Sequence, residues 1–124
     1  MAHRPQHAVV WTEIPVTDLD AAMRFYSSVF GWEMTKREDG PNPMADFPTA
    51  DEDGVSGHLY PGTPATGSTV HLATPGTVEE ARSAVEAAGG TVISEVIEIP
   101  PGRFCYALDP DGNSIGLFEG REAA

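Results

Sequence analysis

One stretch of this sequence repeats another. Val10-Trp11-Thr12-Glu13-Ile14-Pro15 lies over Val70-His71-Leu72-Ala73-Thr74-Pro75, two short extended runs that each end at a proline. Each run is followed by an amphipathic helical pattern. In the first copy Leu19, Ala22, Met23, Tyr26, Val29 and Phe30 recur at helical spacing, Thr17 or Asp18 can cap the start, and Gly31 stands where a terminating glycine belongs. In the second copy Val78, Ala81, Val85 and Ala88 recur likewise, Thr77 with Glu80 forms a capping box, and Gly89-Gly90 ends the helix. Three strand-like segments follow each helix. They are Trp32 to Arg37, Met44 to Thr49 and Val55 to Tyr60, then Thr91 to Ile99, Arg103 to Leu108 and Asn113 to Glu119. Turn chemistry separates them: Asp39-Gly40-Pro41 and Asp51-Glu52-Asp53-Gly54 in the first copy, Pro100-Pro101-Gly102 and Asp109-Pro110-Asp111-Gly112 in the second. A chain that reads βαβββ twice is tightly constrained, because each unit must cover its sheet with its own helix.

The last strands superpose as well, Ser56-Gly57-His58-Leu59-Tyr60 over Ser114-Ile115-Gly116-Leu117-Phe118. Side chains alternate across a strand with period two, so parity sorts the residues onto two faces. One face is mostly aliphatic: Val10, Thr12, Ile14, Leu59, Val70, Leu72, Ile115 and Leu117. The other carries Trp11, Glu13, Ser56, His58, Tyr60, His71, Ala73, Ser114, Gly116 and Phe118. Aromatic bodies with a few polar heads suit a ligand-lining surface, and a contact between copies of the chain is the alternative. The candidate ligand-binding residues are therefore Trp11, Glu13, His58, Tyr60, His71, Ser114 and Phe118. Trp11 can stack on a ligand or simply fill space. Glu13 is the candidate catalytic base if burial raises its pKa, or else an ordinary carboxylate pairing with a histidine.

At 124 residues, with 40% hydrophobic and 21% charged side chains, the chain suits one globular domain. The expected organisation is an N-terminal tail over 1–7, a domain over 8–120 and a C-terminal tail over 121–124. Within the domain, the first module covers 8–60, a Pro/Gly/Thr-rich linker 61–67, and the second module 68–120. A net charge of −12 disfavours nucleic acid and anionic membrane as partners, and serves either solubility or the attraction of a cationic small molecule. No apolar run is long enough to span a bilayer, and Met1-Ala2-His3-Arg4-Pro5-Gln6-His7 has no signal-peptide core. Cys105 is the single cysteine, so a disulfide framework is excluded, and a cytoplasmic setting is expected. Cys105 reads as a small buried hydrophobe, Arg103 as either an anion anchor or a partner for surface acids, and Asp109 to Gly112 as a structural turn.

Glu13-Ile14-Pro15-Val16 with Asp18-Leu19, Phe25-Tyr26 and Phe30-Gly31-Trp32 resembles the opening of glyoxalase/bleomycin-resistance/dioxygenase (vicinal oxygen chelate) domains. Gly102-Arg103-Phe104 with Asp109-Pro110-Asp111-Gly112-Asn113 resembles their closing hairpin. The likeness runs from about Ala8 to Gly120 and is nearest to small proteins related to lactoylglutathione lyase. It implies an α+β fold of two βαβββ modules making a cupped, incomplete mixed β-barrel with helices outside, and a homodimer. It also implies a divalent-metal site drawn from the first and last strand of each module, which falls on Trp11, His58, His71 and Gly116. Trp11 cannot ligate, since its indole nitrogen only donates, and Gly116 has no side chain. No resident cofactor is therefore expected. If a divalent metal binds, His58, His71 and Glu13 are its ligands, although Glu13 stands about 6.6 Å along the strand from Trp11. Two functions follow. One is a metal-independent protein that binds a small organic molecule, like bleomycin-resistance proteins. The other is a metal-dependent lyase, isomerase or dioxygenase acting on a small oxygenated substrate.

Overall fold

The computed structural model describes residues 2–51 and 53–121; Met1, Glu52 and residues 122–124, which are most of the expected C-terminal tail, lie outside them. The chain divides into two compact units, Trp11–Ser68 and the residues from Thr69 onward taken with those up to Val10. They are called here the first and second module.

The first module contains most of β1 (Val9–Val16), then α1 (Leu19–Phe30), β2 (Lys36–Arg37), β3 (Met44–Asp46) and β4 (Ser56–Pro61). Its strands lie in the order β2-β3-β4-β1, with β1 parallel to β4 and the other pairs antiparallel. A one-turn 3-10 helix, Pro64–Thr66, follows in the linker. The second module has β5 (Thr69–Ala73), α2 (Val78–Ala87), β6 (Thr91–Val92), β7 (Ile97–Ile99), β8 (Gly102–Leu108) and β9 (Ser114–Gly120). Its order is β5-β9-β8-β6, with β7 also paired to β8 and β5 parallel to β9. The segment before Trp11 joins this module, where the Ala73 N–H donates to the Ala8 carbonyl at 3.0 Å.

Both helices start and stop on the residues that favour it. Asp18 accepts from the Ala21 N–H at 3.0 Å, and Gly31 closes α1 at φ 69°, a left-handed conformation that costs a residue with a Cβ energy. Thr77 and Glu80 exchange the reciprocal bonds of the capping box, at 3.1 and 2.9 Å. Helix α1 lies against β3 and β4, and α2 against β6, β8 and β9. Under α1, Leu19, Ala45 and Leu59 are buried among Ile14, Val16, Ala22, Met23, Tyr26, Met34 and Phe47. Under α2, Val78, Cys105, Ala107 and Leu117 are buried among Ala81, Val85, Val92, Val96 and Ile115. Burying a side chain such as Leu59 or Val78 is worth about 1.5–3 kcal/mol. From the aliphatic strand face, Ile14, Leu59, Ile115 and Leu117 thus join the cores under the helices.

Three expected strands need correction. Of Met44 to Thr49 only Met44–Asp46 forms a strand. The run Thr91 to Ile99 is broken between β6 and β7: Ser94 Oγ accepts the Tyr106 N–H at 2.8 Å in place of a ladder carbonyl, and the Ser94 carbonyl accepts from Arg82 at 2.7 Å. A serine that bonds the neighbouring backbone offers it an alternative to the ladder. Of Trp32 to Arg37 only Lys36–Arg37 pairs, and Trp32 packs its ring on Phe30 and Phe47 instead, with centroids 4.8 and 5.2 Å apart.

Candidate functional site

In the first module the pairing of β1 with β4 sets Glu13 opposite His58, and Trp11 opposite Ser56. The resemblance had placed a metal position on Trp11, with Glu13 on the same face but displaced along the strand. A two-residue step along a strand stays on one face, so the register decides which of the two residues stands opposite His58. The displacement is no obstacle: Glu13 Oε1 stands 3.5 Å from His58 Nε2. That distance makes the contact electrostatic more than a short hydrogen bond. Trp11 reaches His58 from the other side, its indole N–H donating to Nδ1 at 2.9 Å. Tyr60, two residues along β4, meets the imidazole edge-on at 5.9 Å and 78°. Glu13 is buried at 9% relative exposure, and the His58 side chain retains 12%. Burial, then the negative charge of Glu13, raises the Tyr60 phenol above its ordinary pKa. The structure thus gathers Trp11, Glu13, His58 and Tyr60 into one cluster.

In the second module, His71 on β5 stands opposite Gly116 on β9. It is buried, at 5% exposure, and aromatic rings hold it. Phe104 meets it edge-on at 5.2 Å and 86°, and Tyr106 at 5.7 Å, while those two rings pack edge-on against each other at 5.4 Å. Gly116 is more than a missing ligand. A Cβ built on it would lie 1.8 Å from His71 Nδ1, so the imidazole occupies the room that a side chain there would need. Ser114 Oγ bonds Thr69 Oγ1 at 2.6 Å, and Phe118 pairs across the ladder with Phe104. Phe104 and Tyr106 were not among the sequence candidates. Their signal was parity on β8, where they alternate with the core residues Cys105 and Ala107.

Several other candidates resolve to structure. Arg103 pairs with acids: it bonds Glu79, Glu98 at 3.2 Å and Glu119 at 3.2 Å, and its guanidinium draws the Glu79 carboxyl down to about 2. A cavity of about 360 Å³ beside it, lined in part by Thr77, Arg103, Glu119 and Arg121, offers an anion little, since Glu119 already accepts the Val78 N–H at the start of α2. Cys105 is fully buried, and burial raises its thiol pKa. Asp109 takes the N–H groups of Asp111 and Asn113 at 3.0 and 2.8 Å, which makes its loop a self-bonded turn.

The donors do not fit the divalent ion that the resemblance implies. A histidine that ligates through Nε2 carries its proton on Nδ1 and gives it to an acceptor. Here Nδ1 of His58 instead accepts from an indole. Gly116 and Trp11 contribute no donor atom, and among the described residues no group of three or more His, Cys, Asp or Glu is arranged to hold a metal ion. No helix among the described residues is long and apolar enough to cross a membrane.

Comparison with known proteins agrees with this architecture. A "Glyoxylase-like domain-containing protein" of Didymella fabae is 28% identical over 117 residues, covering 85% of this chain and 88% of its own. The Mn(II)-bound glyoxalase from Novosphingobium aromaticivorans superposes with a TM-score of 0.64 at 25% identity over 90% of this chain, which spans only 38% of that protein. Methylmalonyl-CoA epimerase from Mycobacterium tuberculosis shares the fold, with a TM-score of 0.63 at 16% identity, covering 91% of this chain and 87% of its own. The Glyoxalase/Bleomycin resistance protein/Dioxygenase superfamily matches residues 7–117. With that span, a mixed α+β fold and two βαβββ modules, the second with one strand broken into β6 and β7, the chain belongs to the glyoxalase/bleomycin resistance protein/dioxygenase superfamily.

Proposed function

We propose that the protein binds a small organic molecule on the Trp11–Glu13–His58–Tyr60 face of its first module, without a resident metal. The observation that carries this reading is the Trp11-to-His58 hydrogen bond of 2.9 Å beside a buried carboxylate. It yields a rigid face with one anionic acceptor, one imidazole N–H donor and two aromatic surfaces, a combination suited to a ligand carrying both a hydroxyl or amine and a planar or cationic part. His71, Ser114 and Phe118 are the corresponding candidates on the second module. A homodimer in solution belongs to the same proposal, and a monomer mass by light scattering would remove it. The test is a thermal-shift screen of wild type and Glu13→Gln against small amines, phenols and hydroxy acids. Ligands that stabilise wild type and lose their effect in Glu13→Gln support the reading, and a flat screen counts against it.

A second reading is favoured by the 3.5 Å approach of Glu13 to His58. A carboxylate beside an N–H donor can take a proton from the carbon next to a carbonyl. The C–H bond breaks, its electron pair moves onto the carbonyl oxygen, and the His58 N–H stabilises the charge formed there. Deuterium uptake from heavy water at that carbon of a bound keto acid or thioester, abolished in Glu13→Gln, would establish it.

A further inference from the structure

The geometry points to Trp11 as a tautomer lock. By donating to Nδ1 of His58, it holds the ring proton on Nε2 and turns a pair with metal-ligand spacing into a proton donor facing a carboxylate. This deepens the metal-free reading above and rests on it.

Two ligand atoms of a tetrahedral zinc at about 2.1 Å lie about 3.4 Å apart. Glu13 Oε1 and His58 Nε2 are 3.5 Å apart, with both side chains nearly buried, so spacing alone does not keep a cation from bridging them. What opposes it is the proton. The indole nitrogen has a hydrogen and no lone pair to accept with, so at 2.9 Å the Nδ1 atom must be the acceptor. A neutral imidazole has a single N–H, which then sits on Nε2 and points toward Glu13. To bind a cation through Nε2, His58 would have to give up its only ring proton or abandon the indole. Among the described contacts no other group competes for Nδ1: Tyr60 meets the ring edge-on, and Asp46, opposite His58 on β3, is bonded to Arg37 at 3.0 Å. A phenylalanine at position 11 keeps the ring and removes the donor.

The experiment is nitrogen NMR on uniformly labelled protein. In wild type the His58 Nδ1 resonance should be of the unprotonated type and Nε2 of the protonated type, with a coupling across the hydrogen bond between Trp11 Nε1 and His58 Nδ1. In Trp11→Phe the coupling disappears and the ring redistributes its proton toward Nδ1. Zinc chloride alone is the second probe. Wild-type His58 should be indifferent to concentrations that shift its Nε2 resonance in Trp11→Phe, with zinc binding about tenfold or more tighter in the variant, the scale typical of changes behind a ligand. A protonated Nδ1 in wild type, no coupling, or an unchanged tautomer in Trp11→Phe each overturns the proposal. So does zinc on wild-type Nε2 with the indole bond intact. If Trp11→Phe does not fold, the wild-type tautomer and coupling decide alone. A flat ligand screen with the coupling present removes the binding function and leaves the lock.

Discussion

The two modules share one strand order and surround a histidine with different neighbours. In the first, His58 on the last strand has hydrogen-bonding neighbours, Trp11 on one nitrogen and Glu13 facing the other. In the second, His71 on the first strand is held by Phe104 and Tyr106, and the last-strand position opposite it is emptied to glycine. Strand parity decides which positions share a face, but the chemistry at those positions is free to diverge. The two histidines thus have different described neighbours, an indole and a carboxylate in the first module, two aromatic rings and a glycine in the second.

The sharpest way to break this contrast is at Gly116. Gly116→Ala places a methyl group where His71 now sits, and overpacking of this kind costs about 1–3 kcal/mol. Urea unfolding should show a loss near the top of that range. Adding His71→Ala should recover much of it, since the two changes share one space. If Gly116→Ala is as stable as wild type, the account of the second module is wrong.

The helix starts differ by one reciprocal bond, and so should their responses. Asp18→Ala removes one cap acceptor from α1 and should cost about 1 kcal/mol. Thr77→Ala should cost somewhat more, because the Glu80 N–H loses its acceptor and the bond from the residue 77 N–H to the Glu80 carboxylate is left without its reciprocal mate. Equal losses in the two would mean that the box adds nothing to a single cap.

Each module also ties the first turn of its helix to its sheet by an ion pair, Lys36 with Asp20 at 2.7 Å and Arg103 with Glu79. Hydrogen bonding to the cation lowers both carboxyls, Glu79 to about 2. A depressed carboxyl contributes stability above its unfolded pKa, and that contribution is lost as pH falls through the folded value. The acid limb due to Glu79 therefore runs from about 4.5 down to about 2. Arg103→Gln should flatten that limb more than Lys36→Gln does, since Arg103 holds three acids and Lys36 bonds one. Both pairs are exposed, so the effects are small and should shrink in salt.

Much of this was legible beforehand because it depends on local chemistry. The Asp18 and Thr77 caps, the stop at Gly31, the helix-facing aliphatic residues and the doubled βαβββ order follow from capping, periodicity and turn composition. What escaped depends on pairing between distant segments. Parity put Glu13 on the same face as Trp11, but only the register with β4 sets Glu13 against His58, and a two-residue slip leaves parity unchanged. Likewise nothing local in Thr91 to Ile99 reveals that Ser94 will take the Tyr106 N–H and break the strand. Nor does a glycine at position 116 announce that a ring fills its space.

The smallest expected effect tests the polar side of the comparison. Burial and the Glu13 charge raise the Tyr60 phenol above its ordinary value of 10.0. A raised pKa means that the folded state favours the neutral phenol. Its contribution is fully present below pH 10.0 and is lost as the pH rises through the folded value. Spectrophotometric titration should therefore show a late-ionising component that is absent in Tyr60→Phe. Glu13→Gln removes the charge and keeps the shape, so it should bring that component back only part of the way, because burial is the larger cause. A complete return would make the carboxylate the main cause. No movement would mean that Glu13 and Tyr60 do not share an environment, and Tyr60 would drop out of the cluster around His58.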